Sequence, residues 1–462
     1  MLSLEFEKGT LTLHPLTESQ AESLPGILWD SRTRLHRAPA WCYREIVLTL
    51  RKLQIPYQDN ARKFEPQEWS LKRQVTPRHY QLDALHAWKN QGSSGVVVLP
   101  TGAGKTILAV LMIAETRRPA LIHVPTIDLM HQWHSVLSGF FDEPIGMLGG
   151  GENDLQKITV ATYDSALIHV FHQGHRFGFI IFDECHHLPG EQYQNLAIAS
   201  IAPFRLGLTA TPERRDGREQ VLYQLCGPLC FQVHIHELEG RELAPYEIET
   251  IEVDMLPEEQ ERYEQARACY LQFLKDEKIS FSSAHGWSNF ISKTAQSAKG
   301  RQAFKAFLEQ RRLSQASQAK EDWIWELLRR HAGERILVFT QENDAAYRIG
   351  KKFFLPVLTH HTKVKERAQF LEAFRKGDYP VLVTSKVLNE GVDVPEANVA
   401  IVVAGSGSVR EHVQRLGRIL RPQTGKVATL YELVSKGTGE YFVNQRRRQH
   451  SAYQRSPELP NL

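Results

Sequence analysis

At 462 residues the chain has room for about three domains of roughly 150 residues each, and 42% apolar with 24% charged residues is the composition of an ordinary folded protein rather than a disordered or collagen-like one. A net charge of +3 excludes a uniformly basic nucleic-acid binder, so any such surface has to be local. No apolar run approaches the ~18 residues of a membrane span, and MLSLEFEKGT carries acids where a secretory leader would carry bases.

A cytoplasmic protein without a membrane partner is therefore expected. Its five cysteines, Cys42, Cys185, Cys226, Cys230 and Cys269, are scattered and odd in number, which suits a reducing compartment. Cys226 and Cys230 form a lone C-x3-C, too little for a zinc site.

Residues 1–72 read as a small α+β module. LEFEKGTLTL alternates around Lys8-Gly9 as a hairpin does, and AWCYREIVLTLRKL has helical periodicity after Pro39. Between them, Arg32, Arg34, His36 and Arg37 lie close to Trp29; a DNA-contacting surface with an aromatic is one reading, and a solvated basic loop over a core tryptophan is the simpler one. A charged connector follows and leads into TPRHYQLDALHAWK. There Gln81 falls on a predicted helix, where its amide can donate to and accept from one adenine edge.

GVVVLPTGAGKT, from Gly95 to Thr106, reads as a buried strand and a loop of small residues, and ILAVLMIA then reads as a helix. Such a loop turns backbone N–H groups toward phosphate oxygens at the positive end of a helix. Thr101, Gly102, Ala103 and Gly104 form the cradle, Lys105 supplies a counter-charge and Thr106 a hydroxyl for Mg2+. A plain glycine turn does not explain why Lys and Thr follow Gly104. The strict P-loop pattern has a glycine where this chain has Leu99.

Strand and helix alternate again through PALIHVPTIDLMHQWHSVL and KITVATYDSAL, and FGFIIFDECHHL then runs an apolar strand into Asp183 and Glu184. Carboxylates at the C-terminal end of a buried parallel strand lie where open α/β sheets bind ligands. Asp183 is expected to hold the Mg2+ and Glu184 to orient the attacking water. His186 and His187 lack a third ligand at metal-site spacing, so coupling or packing is expected of them.

The alternation breaks at 252–332. PEEQERYEQARACYLQFLK places Tyr263, Ala266, Tyr270, Leu271 and Leu274 on one helical face. Residues 291–320 carry seven bases against one acid, a one-signed bias that reads as a nucleic-acid contact through Lys299, Arg301, Lys305 and Arg312. ERILVFTQ opens a second α/β set from 333 to 462. In SVREHVQRLGRILRP, Ser408 and Glu411 form a capping box, Gln414 and Arg418 share a face, and Arg421 follows a turn later. Clustered arginines suit the charge on a transferring phosphoryl group. The tail NQRRRQHSAYQR reads as a solvated basic terminus.

LPTGAGKT, DECHH, TATPERRDG, NEGVDVPEA and QRLGRILRP occur in an order that resembles superfamily 2 helicases, and more closely the XPB-type DNA repair helicases of archaea and bacteria, over residues 73–425. LPGILWDSRTRLHRAPAWCYRE resembles that family's damage-recognition module. The resemblance implies an α/β fold of two RecA-like parallel-sheet domains in tandem, 73–251 and 333–462. The small α+β module precedes them at 1–72, and a helical thumb-like insertion at 252–332 lies between.

It also implies an ATP-dependent DNA helicase or translocase, with ATP and Mg2+ as cofactors and DNA as partner, whether duplex, fork or single strand, on the nucleoid of a prokaryote. Gln81 becomes the adenine reader, Gly391 and Asp393 the second-domain element facing both ATP and strand, and Gln414, Arg418 and Arg421 the finger helix. T-A-T resembles the link between the nucleotide and nucleic-acid sites. The family's Arg-Glu-Asp loop falls on Arg214, Arg215 and Asp216, so its central acid is a base here, which favours duplex translocation over robust unwinding. The alternative is a nucleotide-gated DNA-binding subunit that switches a separately encoded nuclease.

Overall fold

The computed structural model describes residues 1–213, 216–281, 283, 285–385, 397–404, 417 and 427–441. The chain divides into two units that meet at Glu237 and Leu238.

The first unit begins with the predicted hairpin. Leu2–Glu7 and Thr10–His14 pair antiparallel, and Lys8 and Gly9 turn between them with φ of 46° and 80°, the two successive positive values of a tight hairpin turn. Three more strands complete a five-stranded sheet, against which the helix Tyr43–Lys52 buries Tyr43, Ile46, Val47 and Leu50. The basic segment after Leu24 is a second hairpin, Leu28–Asp30 with Leu35–Pro39. Trp29 is not the core residue expected of it: it is 57% exposed and lies edge-on to His36 at 4.9 Å. Its basic neighbours are paired locally, Arg32 with Asp30 and Arg37 with both Asp30 and Glu7.

This module rests on the sheet domain that follows. Arg44 Nη1 donates to the carbonyls of Gly92 (2.6 Å) and Pro203 (3.3 Å). The Phe64 ring covers Gly178, where a Cβ would come within 2.8 Å of it.

The first large sheet has eight strands in the order Leu229–Gln232, Ser94–Val98, Phe204–Thr209, Phe179–Asp183, Ala120–Val124, Ile158–Thr162, Ile145–Gly149 and Glu152–Asn153. All neighbours are parallel except the last pair. The central strands are buried on both faces, which explains why VVVL, FIIF and ITVAT read as unbroken apolar runs. Thr126 and Thr162 cap the helices Ile127–Phe140 and Tyr163–Gln173 by accepting from Leu129 N and Ser165 N.

Among the described residues, the second unit holds a six-stranded, wholly parallel sheet: Tyr246–Val253, Ala428–Ser435, Val399–Val402, Ile336–Phe339, Val381–Thr384 and Val357–Leu358. Here the expected boundary at 251 is corrected. Tyr246–Val253 pairs along its whole length with Ala428–Ser435, 182 residues later, so the second sheet begins before the helical insertion.

The insertion is also shorter than 252–332. Its helices are Pro257–Asp276, Gly286–Gln296 and Ala298–Gln315, with Phe273, Phe290 and Ala303 at their own small core. The next helix, Gln318–Arg330, buries Ile324 and Leu327 in the core of the second sheet. On Pro257–Asp276 the inward face includes Phe273, while Leu271, expected inward, is exposed. An unpaired Leu can face water, whereas Phe273 supplies the larger apolar area.

Candidate nucleotide site and basic insertion

The strand Ser94–Val98 continues through buried Leu99, whose N–H donates to the Thr209 carbonyl at 3.0 Å, before the chain turns. A glycine has no purpose there, because this residue still belongs to the sheet. The turn comes at Gly102 and Gly104, with φ of 87° and 77°, conformations that cost an L side chain about 1 kcal/mol or more. A Cβ on Gly104 would also meet Gln81 Nε2 at 2.7 Å. The helix Lys105–Thr116 starts at once, so Lys105 and Thr106 occupy its first turn.

Gln81, in the first turn of His79–Asn90, is buried and has both ends of its amide on backbone. Nε2 donates to the Ala103 (3.3 Å) and Gly104 (3.1 Å) carbonyls, and Oε1 accepts from Arg78 N at 2.9 Å. Tyr80 OH donates to the same Ala103 carbonyl at 2.8 Å. Gln81 therefore braces the phosphate loop from behind, a contact that its spacing in the sequence does not reveal.

One strand separates the P-loop strand from Phe179–Asp183. Val98 is level with Thr209, and Asp183 with Leu208, so loop and acids emerge together at the C-terminal edge of the sheet. Asp183 is almost wholly buried. Its Oδ2 accepts from the Trp133 indole N–H at 2.8 Å and its Oδ1 from Glu184 N at 3.0 Å, while Tyr163 OH donates to its main-chain carbonyl at 3.1 Å. Burial, and next the Glu184 carboxylate, push the Asp183 carboxyl above its usual range, with Lys105 and the Trp133 bond acting the other way.

Glu184 turns through a left-handed conformation, φ 47°. Such strain in a non-glycine residue gathers at functional positions. Its Oε2 is buried without a hydrogen bond, 3.5 Å from His186 Nδ1. His186 Nδ1 also lies 3.3 Å from Thr209 Oγ1, and that hydroxyl donates to the Thr211 carbonyl at 3.1 Å. Because the hydroxyl proton is committed to Thr211, an Nδ1–H on His186 is the matching donor. This physical link joins the acid motif to T-A-T.

These features fit a nucleotide with its metal. Thr101 Oγ1 and Glu184 Oε2 are buried polar atoms without a hydrogen bond, Gly102 and Gly104 turn the loop through positive φ, and the Lys105 charge acts on buried Asp183 beside Glu184.

Three family models match in sequence order. The Xeroderma pigmentosum group B helicase damage recognition domain matches residues 4–61, the Type III restriction enzyme res subunit 74–214, and the ERCC3/RAD25/XPB C-terminal helicase 319–455. The chain is 38% identical over 449 residues to the DNA 3'-5' translocase XPB2 of Sulfurisphaera tokodaii, spanning 97% of this chain and 100% of that protein. This chain belongs to the XPB family of superfamily 2 DNA helicases and translocases.

The XPB-family chain is also 33% identical to the DNA 3'-5' helicase XPB of Kineococcus radiotolerans, over 80% of its own length and 62% of that protein's. In fold it is similar to the Hef helicase domain of Pyrococcus furiosus, with a TM-score of 0.51 at 21% identity, covering 80% of this chain and 98% of that one. The two parallel sheets are thus RecA-like.

Sequence reasoning missed Trp133, Tyr163 and the bracing role of Gln81, since hydrogen bonds made across the sheet leave no local pattern. Arg214, Arg215, Gly391, Asp393, Gln414, Arg418 and Arg421 lie outside the described residues. Asp216 is exposed and accepts from Arg218 N at 3.3 Å.

In the insertion, the one-signed charge is answered by the single acid of the stretch, Glu309, and by acids outside it. Lys299 pairs with Asp276 at 2.6 Å, Arg312 with Glu309 at 3.0 Å, Lys293 with Glu277 at 3.0 Å and Arg311 with Glu342 at 3.3 Å. Hydrogen bonds from Lys299 and Arg312 hold the Asp276 and Glu309 carboxyls below their usual range. Lys320 is wholly buried, its Nζ 2.8 Å from the Val403 carbonyl and 2.7 Å from Glu440 Oε2. Arg301 and Lys305 remain exposed, and Arg301 Nη1 only skims the Ala295 carbonyl at 3.5 Å.

Proposed function

We propose that this XPB-family chain couples ATP hydrolysis to 3'-to-5' movement along DNA during repair, in the prokaryotic cytoplasm where the nucleoid lies. The observation that carries the reading is the common level of the P-loop and of Asp183 and Glu184 at one edge of the first parallel sheet. In this reading Thr101, Gly102, Ala103 and Gly104 direct N–H groups at the phosphates, and Lys105 places a counter-charge there. Thr106 and Asp183 would hold Mg2+, which when bound neutralises charge on the phosphate oxygens.

Glu184 accepts a proton from, or orients, the attacking water. Gln81 holds the loop in shape and turns to the adenine only insofar as its bonds to the loop allow. By the family pattern, Gly391 and Asp393 are assigned to the nucleotide-facing element, and Gln414, Arg418 and Arg421 to the fingers that answer the developing charge. His186 and Thr209 give hydrolysis a path toward the strand-contacting elements.

Arg215, a base where the family carries an acid, supports duplex translocation over robust strand separation. A separately encoded nuclease is the partner in the alternative, where hydrolysis only gates DNA binding. Among the described residues no helix is long and apolar enough to cross a membrane.

The test is ATP turnover by the purified chain on single-stranded DNA, duplex DNA and RNA, with strand displacement measured in parallel. Stimulation by DNA with little displacement is expected. Turnover indifferent to DNA would overturn the reading.

A further inference from the structure

We infer that Trp133 is a positioning residue for Asp183, fixing the carboxylate in the orientation in which it receives Mg2+. The inference rests on the nucleotide-site reading above and adds to it a residue from a different strand–helix unit.

Trp133 lies mid-helix in Ile127–Phe140, on the face that also buries Met130, Leu137 and Phe140. Apolar burial alone explains an aromatic there. It does not explain the indole, whose single N–H is a buried donor that must find an acceptor. That acceptor is Asp183 Oδ2 at 2.8 Å, while Oδ1 takes the Glu184 N–H at 3.0 Å.

A carboxylate held at both oxygens can no longer rotate about its Cβ–Cγ bond, so its remaining lone pairs point in one direction. The two donors come from opposite sides in the sequence, one adjacent and one 50 residues earlier. Mg2+ demands near-ideal octahedral geometry, so an acid ligand free to swing would bind it less well. Phosphate binding by the loop, in contrast, would use backbone N–H groups and Lys105, whereas the Trp133 indole N–H is spent on Asp183. Outer partners of metal ligands of this kind are worth roughly 10- to 100-fold in metal affinity.

The separating measurement is binding of a fluorescent ADP to the whole chain, in EDTA and across a Mg2+ titration. Trp133→Phe keeps an aromatic ring and removes the donor. It should leave affinity in EDTA unchanged and raise the Mg2+ concentration for half-maximal tightening by roughly 10-fold or more. Trp133→His, which retains a ring N–H, should recover part of that loss. Leu137→Ala, on the same buried face, should lower the melting temperature without moving the Mg2+ midpoint.

In addition, the Trp133 indole resonance of 15N-tryptophan-labelled wild type should move on Mg2+ addition to the ADP complex, and not on ADP in EDTA. A folded Trp133→Phe with the wild-type Mg2+ midpoint overturns the positioning role, as does a Leu137→Ala that moves the midpoint equally. Absence of any Mg2+ effect in wild type would instead overturn the assignment of Asp183 itself.

Discussion

The edge of the first parallel sheet and the helical insertion of the second unit both concentrate charge, yet they treat it in opposite ways. At the sheet edge Asp183 is buried, and each of its oxygens meets a designated donor, the Trp133 indole from 50 residues earlier and the N–H of the adjacent Glu184. On the insertion, Lys299 and Arg312 are largely exposed and pair with acids on the same or a neighbouring helix. Burial makes the first arrangement specific, because an unmatched polar atom there costs ~1–3 kcal/mol. Exposure makes the second exchangeable, since a surface ion pair is worth about 0–1 kcal/mol. A carboxylate at the sheet edge is thus committed to one geometry, while an exposed lysine on the insertion can exchange its partner at little cost.

The largest effect should come from breaking the committed side. Glu184→Gln is expected to lower ATP turnover by roughly 10²–10⁴ while keeping nucleotide binding, and Lys105→Ala to weaken binding itself. Arg418→Ala and Arg421→Ala should each cost ~10³ or more in turnover with DNA binding spared. Wild-type turnover in Glu184→Gln would remove the acid-pair assignment, and unchanged turnover in both arginine variants the finger role.

Lys320 sharpens the comparison because it belongs to the basic stretch by sequence and to the core by structure. Lys320→Ala leaves Glu440 short of its cation and should destabilise the second unit by about 3–5 kcal/mol, read as a lowered melting temperature. If it instead weakened DNA binding without changing stability, the buried pair would be the wrong account.

A third test concerns His123, buried beside Phe182 with Nδ1 on the Ile181 carbonyl at 3.2 Å. Burial pushes its imidazole down to about 4. Between pH 6.5 and 4 the unfolded chain therefore binds a proton that the native chain refuses, so stability present above pH 6.5 is lost as pH falls. The loss should reach on the order of 3 kcal/mol. Urea midpoints at pH 7 and pH 5 should differ less in His123→Phe than in wild type, and an equal difference would assign the acid sensitivity to other groups.

The smallest effect belongs to the exchangeable side. Neutralising Lys299, Arg301, Lys305 and Arg312 together should flatten the salt dependence of DNA binding, by about 0.7–0.9 in slope for each residue that touches a phosphate. Arg301 and Lys305, which are exposed and whose charges are not drawn into the pairs above, should contribute more than Lys299 and Arg312, which must first leave Asp276 and Glu309. An unchanged slope would return the insertion to a purely structural role, with ATP affinity unaffected in either case.

Much of this was legible in the chain itself. The residues Gly102, Gly104, Lys105 and Thr106, the acids closing FIIF, and the hairpin at Lys8-Gly9 are local patterns whose backbone demands are met within a few residues. The N-terminal tryptophan was misjudged because apolar character predicts burial only when a covering element exists, and none of the described residues buries Trp29. The domain boundary was misplaced because Tyr246–Val253 finds its partner only at Ala428–Ser435, and no window of sequence contains both strands.

By itself, then, the sequence determined the glycine turn ahead of Lys105 and Thr106, the two acids that close FIIF and the alternation of strands and helices, since each depends on side-chain type and near-neighbour spacing. Tertiary structure alone decided which donors hold Asp183, which acids neutralise the insertion, why Lys320 is buried and where one sheet yields to the next. Those outcomes depend on parallel strand order and, for the most part, on groups brought together from different elements, up to 182 residues apart, and a hydrogen bond or ion pair between elements imposes no periodicity on the chain that makes it.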